Sequence, residues 1–199
     1  MGIKNYVSKI CEIINSTEFK ENLIFINSNY SNLKQENHIR HIILEDLNSY
    51  FLKNSHNAKA FAEHPRIKGR VDLSIVNNLN KENPFKIEFK FQFSKDNSNM
   101  ENYHKVIKKD FEERMSDLFI LIIANWDIQD KIKYDKKWGI TSNLSRYISK
   151  NECWRQNIIT SFNTFKEAKL IEFEKIEINL PYKTEYNFYL LERNGNYNL

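Results

Sequence analysis

Apolar and polar residues alternate through two neighbouring stretches of the chain, Arg70-Val-Asp-Leu-Ser-Ile-Val76 and Phe85-Lys-Ile-Glu-Phe-Lys-Phe-Gln-Phe93. A period of two is that of a strand with one buried face. Val71, Leu73 and Ile75 share one side of the first stretch, which leaves Asp72 and Ser74 on the other. In the second, Ile87, Phe89, Phe91 and Phe93 share a side, and Glu88, Lys90 and Gln92 share the opposite one. A hairpin through the polar loop 77–84 is expected to join the two strands and bring both carboxylates and the lysine onto one patch of sheet. Upstream, 33–54 reads as an amphipathic helix with Ile39, Ile43, Leu47 and Tyr50 at helical spacing, and 58–64 as a short strand ending at Pro65. Downstream, a helix is predicted from about 101 to 115, with Tyr103, Val106, Ile107, Phe111 and Met115 turned inward. The unbroken apolar run 117–124 then predicts a strand buried on both faces. Apolar spacing between 143 and 169 predicts one long helix or two short ones, and 170–180 and 186–192 predict two further strands joined at Pro181.

Composition bounds this plan. A chain of 199 residues with 4 glycines and 3 prolines, all scattered, contains no linker and reads as a single domain, 1–199, with a core at about 33–125 and a C-terminal extension at about 126–199. The longest apolar run, Leu118 to Ala124, is too short to cross a bilayer, and no signal peptide is visible, so a soluble cytoplasmic protein with no membrane partner is expected. Cys11 and Cys153 lack metal-type spacing and fit reduced thiols. His38 and His41 project away from their helix's apolar stripe and read as surface residues. The chain has no phosphate-cradling glycine loop, no Gly-x-Ser-x-Gly elbow and no Cys-x-x-Cys, which excludes nucleotide-driven motors, serine hydrolases and thioredoxin-like chemistry.

Two carboxylates repel when brought together, and a hard cation such as Mg²⁺ between them removes the cost. A lysine two residues along the same face can neutralise a phosphate oxygen, or orient and help deprotonate an attacking water. On the preceding helix, Glu36 points along the apolar stripe and so toward the sheet; it reads either as one more acid for the site or as a first-turn acid favoured by the helix dipole. Arg40, one turn on, can brace that carboxylate or reach a phosphate. Asp72, fifteen intervening residues and then Glu88-Phe89-Lys90 resemble the signature of the PD-(D/E)XK nuclease superfamily, an Asp on one strand and a Glu-x-Lys on the next. Val71 stands where the motif's proline would be.

That resemblance implies an α/β, restriction endonuclease-like αβββαβ core with a mixed central sheet flanked by helices, plus a C-terminal helix and strands. It implies a metal held by Asp72, Glu88, the backbone carbonyl of Phe89 and Glu36, with Mg²⁺ as cofactor and Mn²⁺ able to substitute. Asp72, Glu88, Lys90 and Glu36 would form the catalytic group. The expected activity is endonucleolytic hydrolysis of double-stranded DNA without a nucleotide cofactor. Among members of the superfamily, a compact chain most resembles the restriction or defence enzymes, which are often homodimers. Repair, recombination and mobile-element nucleases share the core, and a binding module that has lost its chemistry, or a purely structural charge network, are the competing readings.

The net charge of +4 suits a polyanion binder without demanding one. Basic residues gather at Arg66, Lys68 and Arg70, next to Asp72, and again at Lys131, Lys133, Lys136 and Lys137, with Arg146, Lys150 and Arg155 following in an expected helix. Arg66, Lys68, Arg70, Gln92, Lys133, Lys136, Lys137 and Arg146 are the candidate nucleic-acid contacts; a solvated charged face is the alternative. Asp110 and Arg114, spaced i and i+4, read as a helix-stabilising pair or as residues shaping the site from above.

Overall fold

In the computed structural model, which describes residues 3–66, 69–96 and 99–194, the centre of the molecule is the predicted all-apolar strand. Leu118–Trp126 (β4) is buried along its length apart from Asn125. A strand can bury both faces only between two layers, and both are present. Leu118, Ile120, Ile122, Ala124 and Trp126 pack on one side of the sheet, Phe119, Leu121 and Ile123 on the other.

The elements run α1 (Ile3–Ile14), α2 (Thr17–Asn29), α3 (Glu36–Lys53), β1 (Ala58–Arg66), β2 (Gly69–Asn77), β3 (Asn80–Phe93), α4 (Met100–Ile107), a π-helical turn (Lys108–Glu113), β4, α5 (Ile128–Trp138), a 3₁₀ turn (Leu144–Arg146), α6 (Cys153–Phe162), β5 (Ala168–Glu172), β6 (Ile176–Ile178) and β7 (Thr184–Arg193). The sheet has seven strands in the order β1-β2-β3-β4-β7-β5, with β6 also paired to β7. It is mixed: β3 and β4 run parallel, joined over the top by α4 and its π turn, and the other pairings are antiparallel. The chain is therefore α/β, a mixed sheet flanked by helices.

One layer is built by α1, α2 and α3, whose Ile10, Phe19, Leu23, Ile39, Ile43 and Leu47 meet Leu73, Ile87, Phe89, Phe91 and Ile120. The opposite layer is α4 and α6, with Tyr103, Ile107, Phe111, Trp154, Ile158 and Phe162 against Phe119, Leu121 and Ile123. Within the first layer lies a polar knot. Asn27 donates to the Leu180 carbonyl at 2.9 Å, and the Tyr186 hydroxyl donates to Gln35 Oε1 at 2.5 Å and to Asn27 Oδ1 at 3.2 Å. Buried polar groups hold position only when fully paired, so this knot locks the start of α3, and Glu36 with it, onto β7.

Several expectations are corrected. The β2–β3 connection is a tight turn at Asn78 and Leu79, not a loop 77–84, and Asn77 pairs directly with Asn80. Register shifts between there and the Ile75–Phe85 pair, where Pro84 has no N–H to give the ladder. Residues 3–29, for which no element is expected above, form α1 and α2. The predicted helix 101–115 is α4 continued by the π turn; the widened turn changes the phase, so Met115 lies 59% exposed at φ +53° rather than inward. Between 143 and 169 there is a 3₁₀ turn and one short helix, which places Arg146 and Lys150 outside any α-helix. His38 is not a free surface residue: its ring lies 3.7 Å from that of Tyr30, while His41 is exposed. Among the described residues no helix is long and apolar enough to cross a membrane.

Lys131 is the largest departure. The fold seals it at the C-terminal end of β4, ion-paired to Asp135, bonded to Asn32 at 2.8 Å, and ringed by Trp126, Tyr134 and Tyr182 at 5.2, 5.5 and 4.9 Å. Breaking a buried ion pair strands the remaining charge, so Lys131→Met is expected to cost about 3–5 kcal/mol in urea denaturation. The double variant Lys131→Met/Asp135→Leu should recover most of that loss. An equal loss in both variants would show that the aromatic ring contacts, not the charge pairing, carry the stability.

Candidate functional site

β2 and β3 are partners only from Leu73–Ile87 back to the turn; beyond that pair β2 stays with β1 and the two strands fork. A fork leaves the β2-side N–H groups of β3 without a ladder partner, and buried N–H groups must be satisfied. Three carboxylates do this in succession. Phe89 N–H donates to Asp72 Oδ2 at 2.9 Å, Phe91 N–H to Glu36 Oε2 at 2.6 Å, and Phe93 N–H to Asp96 Oδ2 at 3.1 Å. Asp72 comes from β2, Glu36 from the first turn of α3, and Asp96 from the segment after β3.

The alternation of β3 puts Glu88 and Lys90 on the face toward α4, and the fork lets Asp72 lean in beside them. The Asp72 and Glu88 carboxyl groups come close enough to share a hydrogen bond. Burial, then the Asp72 charge, push the Glu88 carboxyl up to about 8, against the opposing pull of Arg114. Glu36 is also held above the usual carboxylate range, by burial first; the Phe91 N–H, Lys90 and Arg40 oppose this. The charge of Lys90 pulls the carboxyls of Glu36 and Asp110 down against their burial, and Lys90 itself is half-buried. Its Nζ has no hydrogen-bond or ion-pair partner among the described residues.

Two arginines brace the acids from opposite sides. Arg40, buried on α3, lies 2.6 Å from Glu63 and 3.5 Å from Asp72 Oδ1. Glu63 sits opposite Asp72 on β1 with φ +50°, a left-handed conformation that interrupts the strand there. Arg114, at the end of the π turn, donates from Nη1 to Glu88 Oε2 at 2.6 Å, and its Nε lies 3.8 Å from Asp110. Asp110 and Arg114 therefore do more than pair on their own helix, and their link to Glu88 has no counterpart in the sequence pattern. The i, i+4 spacing signals the pair, but only the phase change of the π turn aims it at the sheet.

The donor set suits a hard divalent cation. Two carboxyl groups meet where burial disfavours the charge of Glu88, and the Phe89 carbonyl leaves the strand on the same side as its N–H, toward the fork. Among the described residues no three His, Cys, Asp or Glu side chains form a group that could hold an ion. Mg²⁺ characteristically takes one or two carboxylates and fills its octahedron with water and phosphate oxygens, so Asp72, Glu88 and the Phe89 carbonyl are a sufficient protein contribution. Glu36, its Oε2 committed to Phe91, stands beside this set.

The candidate nucleic-acid contacts divide. Arg70 is exposed, two residues from Asp72. Lys68 and the Arg66 side chain lie outside the described residues. Gln92 is buried on the same face of the sheet as Glu88, its Oε1 without a partner among the described residues. Lys133, Lys136, Lys137 and Arg146 are exposed, with Lys137 over the Trp138 ring at 5.4 Å. α5 packs through Tyr134, and the turn that carries Arg146 through Leu144 and Tyr147, on the layer of α1–α3, the opposite side of the sheet from Glu88 and Lys90, so these cations do not extend the site as a single basic surface. Trp154 is core and Trp138 is exposed.

Compared with known protein families, with curated proteins and with solved structures, the chain matches none of them.

The raised Glu88 carboxyl has a thermodynamic consequence. A folded-state pKa of about 8 against an ordinary 4.5 means that the fold binds a proton the unfolded chain releases. That stabilisation is complete below about pH 4.5 and is lost as pH rises through 8. In EDTA the wild type should lose on the order of a few kcal/mol across this window, and Glu88→Gln should flatten the loss. Urea titrations at half-unit pH intervals measure it, and identical slopes for the two proteins would refute the assignment.

Proposed function

We propose that this chain is a Mg²⁺-dependent endonuclease that hydrolyses phosphodiester bonds in double-stranded DNA, with a restriction endonuclease-like αβββαβ core and a restriction or defence role. The observation that carries the reading is the meeting of Asp72 and Glu88 at the fork, with Lys90 on the same face and left unpaired. The order α3-β1-β2-β3-α4-β4 supports it, because it is the succession that the Asp…Glu-x-Lys resemblance implies.

Asp72, Glu88 and the Phe89 carbonyl would hold the cation. When bound, Mg²⁺ lowers the pKa of a coordinated water and offsets charge growing on the phosphoryl oxygens. Lys90 donates from its ammonium to the attacking water and to a non-bridging phosphate oxygen, fixing one against the other. The water oxygen forms the new bond to phosphorus while the bond from phosphorus to one sugar oxygen breaks. The proton lost by the attacking water passes to solvent, and the departing oxygen takes one from a second water. Arg40 and Glu63 keep Asp72 in place throughout, and Glu36 adds negative potential beside it.

A second reading, a nucleic-acid-binding module without hydrolysis, is favoured by one observation: Arg114 already pairs with Glu88, so this acid has a partner without an ion. Incubating supercoiled plasmid with the protein separates the two. Cutting in Mg²⁺ that stops in EDTA is expected, and Lys90→Ala should slow it by about 10²-fold or more while the circular dichroism spectrum is unchanged. Retention of DNA in a gel shift without cutting, in either Mg²⁺ or Mn²⁺, would establish the binding module instead.

A further inference from the structure

We infer that Arg114 is a catalytic residue of this site, a phosphate-binding guanidinium held by two carboxylates; this deepens the nuclease reading and rests on it. Arginine presents five N–H donors in a rigid planar fork. Here two corners of the fork are already directed: Nη1 donates to Glu88 Oε2 at 2.6 Å, and Nε faces Asp110 Oδ1 at 3.8 Å. The third, Nη2, has no partner among the described residues. Burial differs sharply across the pair, since Glu88 is 2% exposed and Arg114 is 45% exposed. The guanidinium therefore reaches from the surface to a carboxyl group that is almost wholly buried.

A structural ion pair needs none of this asymmetry. Arg114 leaves Nη2 unpaired among the described residues, on a side chain that is 45% exposed, and it does so in contact with a carboxylate assigned to the cation. Nη2 would then be free to make a charge-assisted hydrogen bond to a phosphate oxygen held at that cation. Asp110 adds a second negative charge beside the guanidinium, 3.8 Å from Nε. It is itself raised above the usual carboxylate range by burial, with Lys90 and Arg114 pulling the other way. The π turn is what allows this, because it carries Asp110 and Arg114 together onto the sheet side.

The test uses the whole chain with Arg114→Ala and Arg114→Lys, and three measurements. Mn²⁺ affinity is read from the electron paramagnetic resonance signal of the free ion, without DNA. Single-turnover cleavage of a duplex oligonucleotide is measured at saturating protein. Cleavage by Arg114→Ala is then repeated with guanidinium chloride at tens of millimolar, below the range that unfolds proteins. Expected are Mn²⁺ binding equal to wild type or tighter, because a competing cation has left, and a cleavage rate lower by about 10²-fold or more in Arg114→Ala. Arg114→Lys should recover less than a tenth of the wild-type rate, since it keeps charge and loses the fork, and free guanidinium should restore part of the Arg114→Ala rate.

A fall in Mn²⁺ affinity that matches the fall in rate would overturn the inference, leaving Arg114 as a residue that only positions Glu88. So would wild-type cleavage by Arg114→Ala. A wild type that neither binds Mn²⁺ nor cuts DNA would overturn the nuclease reading and this inference with it, whereas Mn²⁺ binding and cutting by wild type with an unaffected variant would overturn this inference alone.

Discussion

The fork between β2 and β3 is the constraint around which the molecule is arranged. A strand that leaves its neighbour exposes a row of N–H groups, and in a buried setting each needs an acceptor. Backbone carbonyls are no longer within reach, so the acceptors are side chains: Asp72, Glu36 and Asp96 at Phe89, Phe91 and Phe93. Carboxylates satisfy N–H groups strongly, but each imports a negative charge. Concentrating three acids along one strand edge creates a demand for cations, which Arg40 on α3 answers at Asp72 and Lys34, before α3, at Asp96, while Arg114, at the end of the π turn, pairs with Glu88 beside them. Backbone geometry thus generates the electrostatics of the fork.

Each of the two helical layers contributes one half of this site. The layer of α1–α3 is anchored to β7 by the knot of Asn27, Gln35, Thr184 and Tyr186, which fixes the height at which Glu36 and Arg40 enter the fork. The layer of α4 and α6 brings Asp110 and Arg114 down on the other side. Its alignment depends on a single widened turn, because a regular α-helix over the same residues would put Arg114 elsewhere around the axis. Functional π turns are expected to be positional devices of this kind, and this one changes which face meets the sheet.

Much of the framework was legible along the chain. The seven apolar residues of β4, the alternation of β2 and β3 and the 3.6-residue stripe of α3 are local signals, and each element formed within a few residues of its expected bounds. The position of Glu36 followed from the same stripe. What escaped was set by contacts between distant segments. Lys131 looks like any other lysine of a basic run until Trp126, Tyr134, Tyr182 and Asn32 close around it. Arg114 resembles an ordinary helix pair until the π turn adds a residue. The helix α1 is the exception, a local signal that went unassigned: Tyr6, Val7, Ile10, Ile13 and Ile14 recur at helical spacing and are all buried.

The fork also divides the site residues by what their loss would mean. Asp72 and Glu36 each replace a backbone acceptor, so sequence drift at either position would erode the fold together with any chemistry. The Lys90 side chain has no such second duty, since it holds no hydrogen bond among the described residues and replaces no backbone acceptor. A lineage that ceased to need this site could therefore fall silent by a single change at the lysine and keep an intact protein, whereas the acids would persist long afterwards as scaffolding.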